Sequence, residues 1–405
     1  MKNLLSNTDQ NSHGIGLKNT QQKRLIIKAL FFNGPMSNAG LSAILHLSTP
    51  KINNLLTELK NENVVELQGQ GVSSGGRKPA IYGLVENGFY VAGISINVYG
   101  TIITLFNSRN KVIFGPLNLS AGMQSDPVIF SQIRDFLFRS CEEYAIDPLK
   151  LVAVGIEMPG LINSAEGINK TYFPERGNLN EMLRSLFGVP VFFENDAKVR
   201  AYNEQNFGLA KGRDNVLMLH VNWGIGLGLI INGKLFNGRS GFSGEFGHLP
   251  VSDNGLLCQC GKRGCLETLA SASALIRMAV EGLREGKLSL IHELVRGNPD
   301  KIDISTLIEA ARLGDQFAIS LFTEAGKWLG KGIAYLIQIF NPELIIVGGS
   351  VAEAGQFMLA PIQQSVYIYS NQDISNDTEI KFTHGGLVTG TAGAAAMAID
   401  RLTSN

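Results

Sequence analysis

Three of the four cysteines in the 405-residue chain lie within eight residues of one another, as Cys258, Cys260 and Cys265, and His248 precedes the first by ten positions. Thiolate and imidazole groups are ligands for soft and borderline metal ions. We expect a cytoplasmic protein, because the sequence shows neither the apolar region of a signal peptide nor the roughly 18 apolar residues of a membrane span. In that reducing compartment clustered cysteines bind a metal more often than they form disulfides. Buried reduced thiols or an adventitious disulfide are the alternatives, and the isolated Cys141 is expected to pack in a core.

The charge of the chain is divided unevenly between its two ends. The total is zero, with 35 basic and 35 acidic residues. Up to Val85 there are nine Lys or Arg against four Asp or Glu, which leaves +5, and the remainder carries 26 basic and 31 acidic residues, or −5. A cationic field at one end attracts a polyanion such as a nucleic acid.

The cationic segment contains three helical patterns with start signals. The first runs from Thr20 to Phe32 and ends at an Asn-Gly-Pro stop. The second follows Ser37, an N-cap residue, and the third has Thr49 as N-cap and Pro50 at the first helical position. The last two are short and separated by a few residues, which predicts a helix-turn-helix.

A β-hairpin is predicted after the third helix, with strands at 64–67 and 80–85 around a glycine-rich basic turn. Residues 1–85 are therefore expected to form a winged helix-turn-helix DNA-binding domain, with one helix on base edges and the wing on the backbone or minor groove. The residues expected to contact DNA are Ser48, Thr49, Lys51, Asn53, Asn54, Arg77 and Lys78. The alternative is a small interaction or dimerisation domain with a solvated basic loop. The charge segregation, the paired caps and the basic hairpin together favour DNA.

From Phe89 onward, apolar strands alternate with helical patterns, which predicts α/β layers. The chain is too long for one core of ordinary size, so two or three domains are expected. The glycine-bounded strand pairs at 90–106 and 215–231 resemble two versions of one hairpin, which indicates a duplicated architecture.

The segment from Glu245 to Glu267 resembles the signature of the ROK family, E-x-G-H followed by C-x-C-G-x-x-G-C-x-E. Three further segments agree with that family, at Met158–Ile162, Glu194–Ala197 and Phe340–Gly349. The family includes sugar kinases and sugar-responsive repressors, and the resemblance covers about residues 86–400. It implies an actin-like, hexokinase-like ATPase fold behind the winged helix, with an N-terminal α/β lobe at 86–200 and a C-terminal α/β lobe at 201–405, whose last helix is a candidate to return to the first lobe.

The resemblance also implies a sugar site and a zinc site. The residues implied for the sugar are Gly160, Asn195, Asp196, Glu245, His248 and Glu267. His248, Cys258, Cys260 and Cys265 would close a tetrahedral structural zinc site, and His248 would face zinc with one ring nitrogen and a sugar hydroxyl with the other. The alternative for each polar residue taken alone is a helix cap or a solvated loop charge. The run from Tyr172 to Met182 departs from the kinase pattern and leaves the sugar unidentified.

The phosphate-binding turns of the family's kinases are altered in this chain. Where the first turn reads D-x-G-G-T, the chain has Ser95 for the Asp and Asn97, Val98 and Tyr99 for the following residues, so both charge and space are expected to be missing. Trp223 replaces the hydroxyl residue of the second turn. Asp196 keeps the position of the kinases' general base, but a base without a positioned phosphate contributes little. We therefore expect no catalysis.

The resulting prediction is a transcriptional regulator, a repressor of carbohydrate uptake or catabolism genes, that binds double-stranded operator DNA and responds to a sugar or sugar derivative. A homodimer or homotetramer is expected, because paired helices one DNA turn apart read a pseudo-palindrome. The alternative of another class is an ATP-dependent sugar kinase that carries a DNA-binding domain. Regulation through a protein partner is a third alternative for which no motif is present.

Overall fold

The computed structural model of the protein describes residues 15–71, 78–174 and 177–404. Contacts divide the chain into two compact units. Unit 1 comprises the described residues up to Asn195 together with those from Leu387 onward, and unit 2 runs from Asp196 to Gly386. No helix within the described ranges has the length and apolar character to span a membrane.

The first part of unit 1, residues 15–71 and 78–84, is called the head. Its elements in chain order are α1 (Ile15–Asn33), β1 (Met36–Ser37), α2 (Asn38–Leu45), α3 (Thr49–Asn61), β2 (Val65–Gln70) and β3 (Ala80–Leu84). The three strands form an antiparallel sheet in the order β1-β3-β2. The three helices and the two hairpin strands follow one another in the predicted order, and β1 is an additional strand that was not predicted.

Local chemistry explains where the two short helices of the head begin. The Ser37 hydroxyl accepts a hydrogen bond from the Gly40 N–H at 3.1 Å and so caps α2. Helix α3 begins at Thr49 with Ser48 as its N-cap, one residue earlier than predicted. Pro50 is tolerated in the first turn because the N–H groups there have no partner within the helix.

The rest of unit 1 contains a five-stranded sheet. Its elements are β4 (Tyr90–Ile96), β5 (Thr101–Asn107), β6 (Val112–Leu119), α4 (Val128–Glu143), β7 (Leu151–Met158), β8 (Ile162–Asn163), β9 (Ile168–Asn169), α5 (Leu179–Phe187) and β10 (Val191–Asn195). The order is β10-β7-β4-β5-β6, in which β10, β7 and β4 run parallel and the β4–β5–β6 pairs are antiparallel. Every residue of β4, β5 and β7 is buried, as expected for strands covered on both faces. Cys141 on α4 is 1% exposed, which confirms its predicted place in a core.

Unit 2 contains a second five-stranded sheet. Its elements are α6 (Asp196–Phe207), β11 (Val216–Val221), β12 (Ile225–Ile231), β13 (Lys234–Leu235), α7 (Glu267–Ala270), α8 (Ala272–Arg284), α9 (Ile291–Leu294), α10 (Ile304–Arg312), α11 (Gln316–Phe340), β14 (Leu344–Gly348), α12 (Gln356–Tyr369), α13 (Gln372–Ser375) and β15 (Glu379–Phe382). The order is β13-β12-β11-β14-β15. The central strand β11 pairs antiparallel with β12 and parallel with β14, as β4 pairs with β5 and β7. The two sheets are thus built on one scheme, as the duplicated hairpins predicted.

The last helix, α14 (Val388–Ser404), lies on the sheet of unit 1. Its backbone approaches β4 and β7 so closely that only glycine fits beneath it. A Cβ at Gly93 would lie 1.9 Å from the Thr391 carbonyl oxygen, and a Cβ at Gly155 would lie 1.9 Å from that of Ala394. The same helix also packs against α1 of the head. One helix therefore contacts both the sheet and the head.

Candidate functional site

The predicted metal ligands lie together in unit 2. His248 ends a short 3₁₀ segment, Phe246–His248, and the cysteine loop is closed by bridges that pair Pro250 with Cys265 and Leu257 with Arg263. The ligand atoms of His248, Cys258, Cys260 and Cys265 all lie within 4.8 Å of one another. His248 Nδ1 is 3.5 Å from Cys258 Sγ, and the Cys260 and Cys265 sulfurs are 3.6 Å apart. Sulfur atoms bound tetrahedrally to one zinc ion lie about 3.8 Å apart, so the four residues fit that ion.

The thiols of this cluster differ in how readily they lose a proton. Burial raises the pKa of Cys258, and burial together with the neighbouring thiols raises the pKa of Cys265 to about 12. The backbone N–H of Lys262 lowers the pKa of the exposed Cys260. Because metal ligation requires thiolates, a bound dication would displace protons here, and its affinity would rise with pH.

His248 connects the cysteines to a carboxylate. Its Nδ1 faces Cys258, whereas its Nε2 lies 3.8 Å from the Glu245 Oε2. The two ring nitrogens therefore face different groups, a cysteine sulfur and a carboxylate. Partial burial raises the pKa of Glu245, although His248 and Lys198 act in the opposite direction.

A second carboxylate of unit 2 is held in place by a backbone donor. Glu267 is the first residue of α7, and its Oε2 accepts a hydrogen bond of 3.1 Å from the Ile225 N–H. Glu267 also influences the titration of Glu245, which places the two carboxylates near each other. Asp196 begins α6, where an acid interacts favourably with the helix dipole, and its Oδ1 accepts from the Ala197 N–H at 2.9 Å.

In unit 1 the loop that contains Gly160 is fixed by three polar side chains. The buried Asn169 donates to the Pro159 carbonyl at 3.1 Å, and Asn195, at the end of β10, donates to the Gly160 carbonyl at 3.3 Å. The Thr171 hydroxyl accepts from the Leu161 N–H at 2.9 Å. Gly160 has φ of +114°, a conformation that favours glycine. The structure thus joins Gly160 and Asn195 in unit 1, and Glu245, His248 and Glu267 in unit 2.

The first phosphate turn of the kinases has a different structure here. The Asn97 side chain accepts from the N–H groups of Tyr99 and Gly100 at 2.8 and 3.1 Å, and Tyr99 is 66% exposed. A buried carboxyl group lies beside this turn, that of Glu157 on β7, and it accepts a hydrogen bond from the Ser95 hydroxyl. Sequence reasoning missed Glu157, although it is the only charged residue in the apolar strand β7.

The second turn lies beside a cavity of unit 2. Trp223 is 39% exposed, and Asn222, next to it, accepts a hydrogen bond of 2.6 Å from the Ser350 hydroxyl. Ser350 also lines a cavity of about 570 Å³. The other lining residues are Leu294, Ile304, Ser305, Thr306, Ile308, Glu309, Arg312 and Glu353.

The predicted DNA-contacting residues of the head are mostly exposed. Ser48, Thr49, Asn53, Asn54 and Lys78 have exposed side chains, and Asn53 pairs with Asn38. Lys51 is partly buried, because its ammonium group donates to Asn19 of α1 rather than pointing freely outward. Arg77 lies outside the described residues. Thr57 and Lys60 of α3 are exposed as well.

Comparison with known proteins agrees with the fold. The two sheets are built on one scheme and define a duplicated α/β body that follows the head. The His/Cys cluster lies in unit 2. The chain belongs to the ROK family, whose sequence profile, described as "ROK family", matches residues 100–401.

Three relatives are informative. The xylose repressor of Bacillus spizizenii is 31% identical over 372 residues, which cover 90% of this chain and 91% of that protein. The glucokinase of Thermotoga maritima is 37% identical over 253 residues, which cover 62% of this chain and 80% of that protein. A crystal structure described as a ROK family transcriptional regulator, homologous to the Escherichia coli Mlc protein, superimposes with a TM-score of 0.78 at 25% identity and covers 95% of this chain and 97% of that one.

Proposed function

We propose that the protein is a sugar-responsive, DNA-binding transcriptional repressor that acts in the cytoplasm. The observation that carries the proposal is how much of this chain aligns with a repressor and how much aligns with a kinase. The alignment with the xylose repressor covers 90% of this chain and so must include much of the head, whereas the alignment with the glucokinase covers 62%. The exposed polar side chains of α3 and the positive charge of the first 85 residues support contact with DNA.

The ligand is a sugar or sugar derivative. A polyol needs acceptors and donors on rigid elements, and the proposed contacts supply both. They are Gly160, Asn195, Asp196, Glu245, His248 and Glu267. The hydrogen bond from Ile225 to Glu267 and the loop contacts of Gly160 hold these groups in position before a ligand arrives, which lowers the entropic cost of binding.

The proposed resident metal is a structural zinc ion held by His248, Cys258, Cys260 and Cys265. The ligand atoms of the four residues all lie within 4.8 Å of one another, which supports a closed site with four protein ligands. Bound zinc would neutralise the thiolates and orient the His248 ring, so that Nε2 presents its proton toward the sugar pocket beside Glu245. Metal and sugar sites would then share one rigid loop.

Repression would be controlled by a population shift between two arrangements of the chain. A sugar can move that equilibrium only by its difference in affinity for the two states. We propose a homodimer or homotetramer, because two heads spaced by a DNA turn would read the halves of a pseudo-palindrome.

The test is operator binding with and without sugar. Labelled duplexes from the region upstream of the protein's own coding sequence are titrated with full-length protein by fluorescence anisotropy, with D-xylose, D-glucose and N-acetyl-D-glucosamine as effectors. We expect tight binding that weakens steeply with salt and changes at least about fivefold with one of the sugars. Equal affinity for operator and random duplexes would reject the proposal.

A second candidate, an ATP-dependent sugar kinase with a DNA-binding head, is favoured by one observation. The Glu157 carboxylate lies next to Ser95, so the first turn is not devoid of charge. ADP release with the same three sugars and magnesium distinguishes the two. Sustained turnover would establish the kinase.

A further inference from the structure

A set of hydrogen bonds joins the proposed sugar loop of unit 1 to the end of strand β10. The Asn195 side chain donates to the Gly160 carbonyl at 3.3 Å. The Asn195 backbone N–H donates to the Glu194 Oε1 at 3.1 Å. Glu194 is therefore bonded directly to a residue that we propose to contact sugar, although its own side chain points into the protein and is 2% exposed.

Glu194 is held by an arginine of the last helix. Arg401 on α14 donates to the Glu194 Oε2 at 2.7 Å, and the Ser164 hydroxyl donates to the same oxygen at 2.7 Å. Arg401 also donates to the Phe193 carbonyl at 3.2 Å, so it contacts the strand backbone as well as the carboxylate. A buried carboxylate that loses its cation is strongly destabilised, hence α14 must follow any displacement of this strand end.

The neighbouring residue on α14 contacts the head. Asp400 forms an ion pair with Lys28 of α1, and Lys28 also donates to the Ser404 hydroxyl at 3.3 Å. Consecutive helical residues point about 100° apart. Arg401 and Asp400 therefore attach one turn of α14 to two different elements, the strand β10 and the helix α1.

We infer that the Glu194–Arg401 ion pair, through Asp400 and Lys28, transmits the occupancy of the sugar loop to the orientation of the head. This inference rests on the proposed function. A sugar hydroxyl that engages Asn195 competes with its bond to Gly160 and shifts the end of β10. Arg401 follows Glu194, helix α14 moves as a rigid body, and Asp400 moves α1. Glu194 and Arg401 are positioning residues that need not touch sugar or DNA.

A second attachment of the head offers a matched control. Arg109, in the turn between β5 and β6, donates through Nε to the Leu84 carbonyl at 2.8 Å and pairs with Glu66 and Glu86. This attachment joins the wing strands β2 and β3 to the turn between β5 and β6. None of its described contacts reaches the Gly160 loop or Asn195.

The test compares the operator Kd with and without sugar, using the full-length protein and the three sugars named above. Lys28→Asp places two acids together, and Lys28→Asp/Asp400→Lys restores the pair with its charges exchanged. We expect the sugar-induced change in operator Kd to fall to less than about a third of the wild-type factor in the single variant and to return in the double variant. The sugar Kd of the DNA-free protein, measured by calorimetry, should stay within about twofold.

Two further variants separate the relay from general stability. Glu194→Gln/Arg401→Gln removes the buried carboxylate and its partly exposed partner together, so the buried position keeps no unpaired charge. Arg401→Lys replaces this double variant if the double variant does not fold. Both should reduce the sugar-induced change. Arg109→Gln should alter the operator Kd by the same factor with and without sugar. Its sugar-induced change in operator Kd should therefore equal that of the wild type.

The outcomes distinguish the inference from the proposed function. The relay is overturned if the folded Lys28→Asp and Arg401 variants keep the wild-type sugar-induced change in operator Kd. It is also overturned if Arg109→Gln reduces that change as much as they do. Either result would leave a sugar-responsive repressor. A wild-type protein that binds no operator, or that no sugar affects, would overturn the proposed function itself.

Discussion

Ser95 and Glu157 lie in register on the neighbouring parallel strands β4 and β7, and the Ser95 hydroxyl donates a hydrogen bond to the Glu157 carboxylate. Both residues are buried, at 4% and 1% exposure. The acidic side chain of this strand edge thus lies on β7, and a hydroxyl on β4 donates to it. The arrangement makes a carboxylate at position 95 unfavourable.

Placing at position 95 the aspartate that the family's kinases have there should therefore destabilise the protein. Ser95→Asp would place two carboxylates side by side where neither reaches solvent, and we expect the free energy of unfolding to fall by at least about 2 kcal/mol. Urea titration measures this, and an ADP assay should detect no turnover. Ser95→Asp/Glu157→Gln, which keeps one carboxylate, should recover most of the stability. A stable Ser95→Asp protein would show that the two carboxylates do not interact.

Loss of one cysteine ligand should cost both metal and stability. We expect Cys260→Ser to lower zinc content from one ion per chain to well below that and to reduce the melting temperature by several degrees, because the metal's binding free energy contributes to folding. Plasma mass spectrometry and thermal melting measure the two effects. Cys141→Ala, which changes a buried cysteine of α4, should keep the full zinc content. Unchanged zinc in Cys260→Ser would exclude it as a ligand.

Removing one carboxylate of the proposed sugar site should weaken sugar binding. A hydrogen bond to a charged group contributes about 1.5–3 kcal/mol, so we expect Glu267→Gln to raise the sugar Kd roughly 10- to 100-fold. Calorimetry with the responsive sugar gives the measurement. The control is Glu281→Gln on α8, whose side chain pairs with Arg277 on the surface, and its sugar Kd should remain as in the wild type.

The recognition role of α3 can be tested at a residue that contributes little to packing. Asn54 is exposed, and Asn54→Ala should weaken operator binding by about 1–3 kcal/mol if it contacts a base edge. Thermal stability should stay unchanged. Gln21→Ala changes an exposed amide on α1 and should leave anisotropy titrations unaffected. Equal operator affinity for both variants would remove Asn54 from the interface.

Stability should fall in mild acid because of one buried histidine. His220 on β11 is 4% exposed, and burial, helped by the Arg200 guanidinium, holds its pKa well below the usual range. The folded protein keeps this ring neutral, while the unfolded chain binds a proton below about pH 6.5, so the free energy of unfolding decreases as pH falls through that value.

Urea titrations at several pH values measure the effect. His220 contributes a slope of up to about 1.4 kcal/mol per pH unit below pH 6.5 and none above it. His220→Gln should remove the contribution of one bound proton from the slope of unfolding free energy against pH. A change at the exposed His292 should not have this effect. An unaltered slope in His220→Gln would assign the acid sensitivity to other groups.

Much of the fold and the clustering of His248 with three cysteines could be predicted from the chain because the determining features are local. The candidate metal ligands lie within 18 consecutive residues, the strands β4, β7 and β12 are apolar runs, and Ser37 caps the helix that follows it. Periodicity, caps and ligand spacing express interactions between residues near in sequence. These patterns need no knowledge of how distant segments meet.

The tertiary structure alone decided which distant polar groups became partners. Ser95 meets Glu157 because the register of two parallel strands places them side by side, and Glu194 meets Arg401 because the last helix returns to the first sheet. The glycines that let α14 approach, Gly93 and Gly155, show no sign of that role in sequence. A buried charge must find a countercharge wherever the fold supplies one, and neither strand register nor helix return is encoded in local spacing.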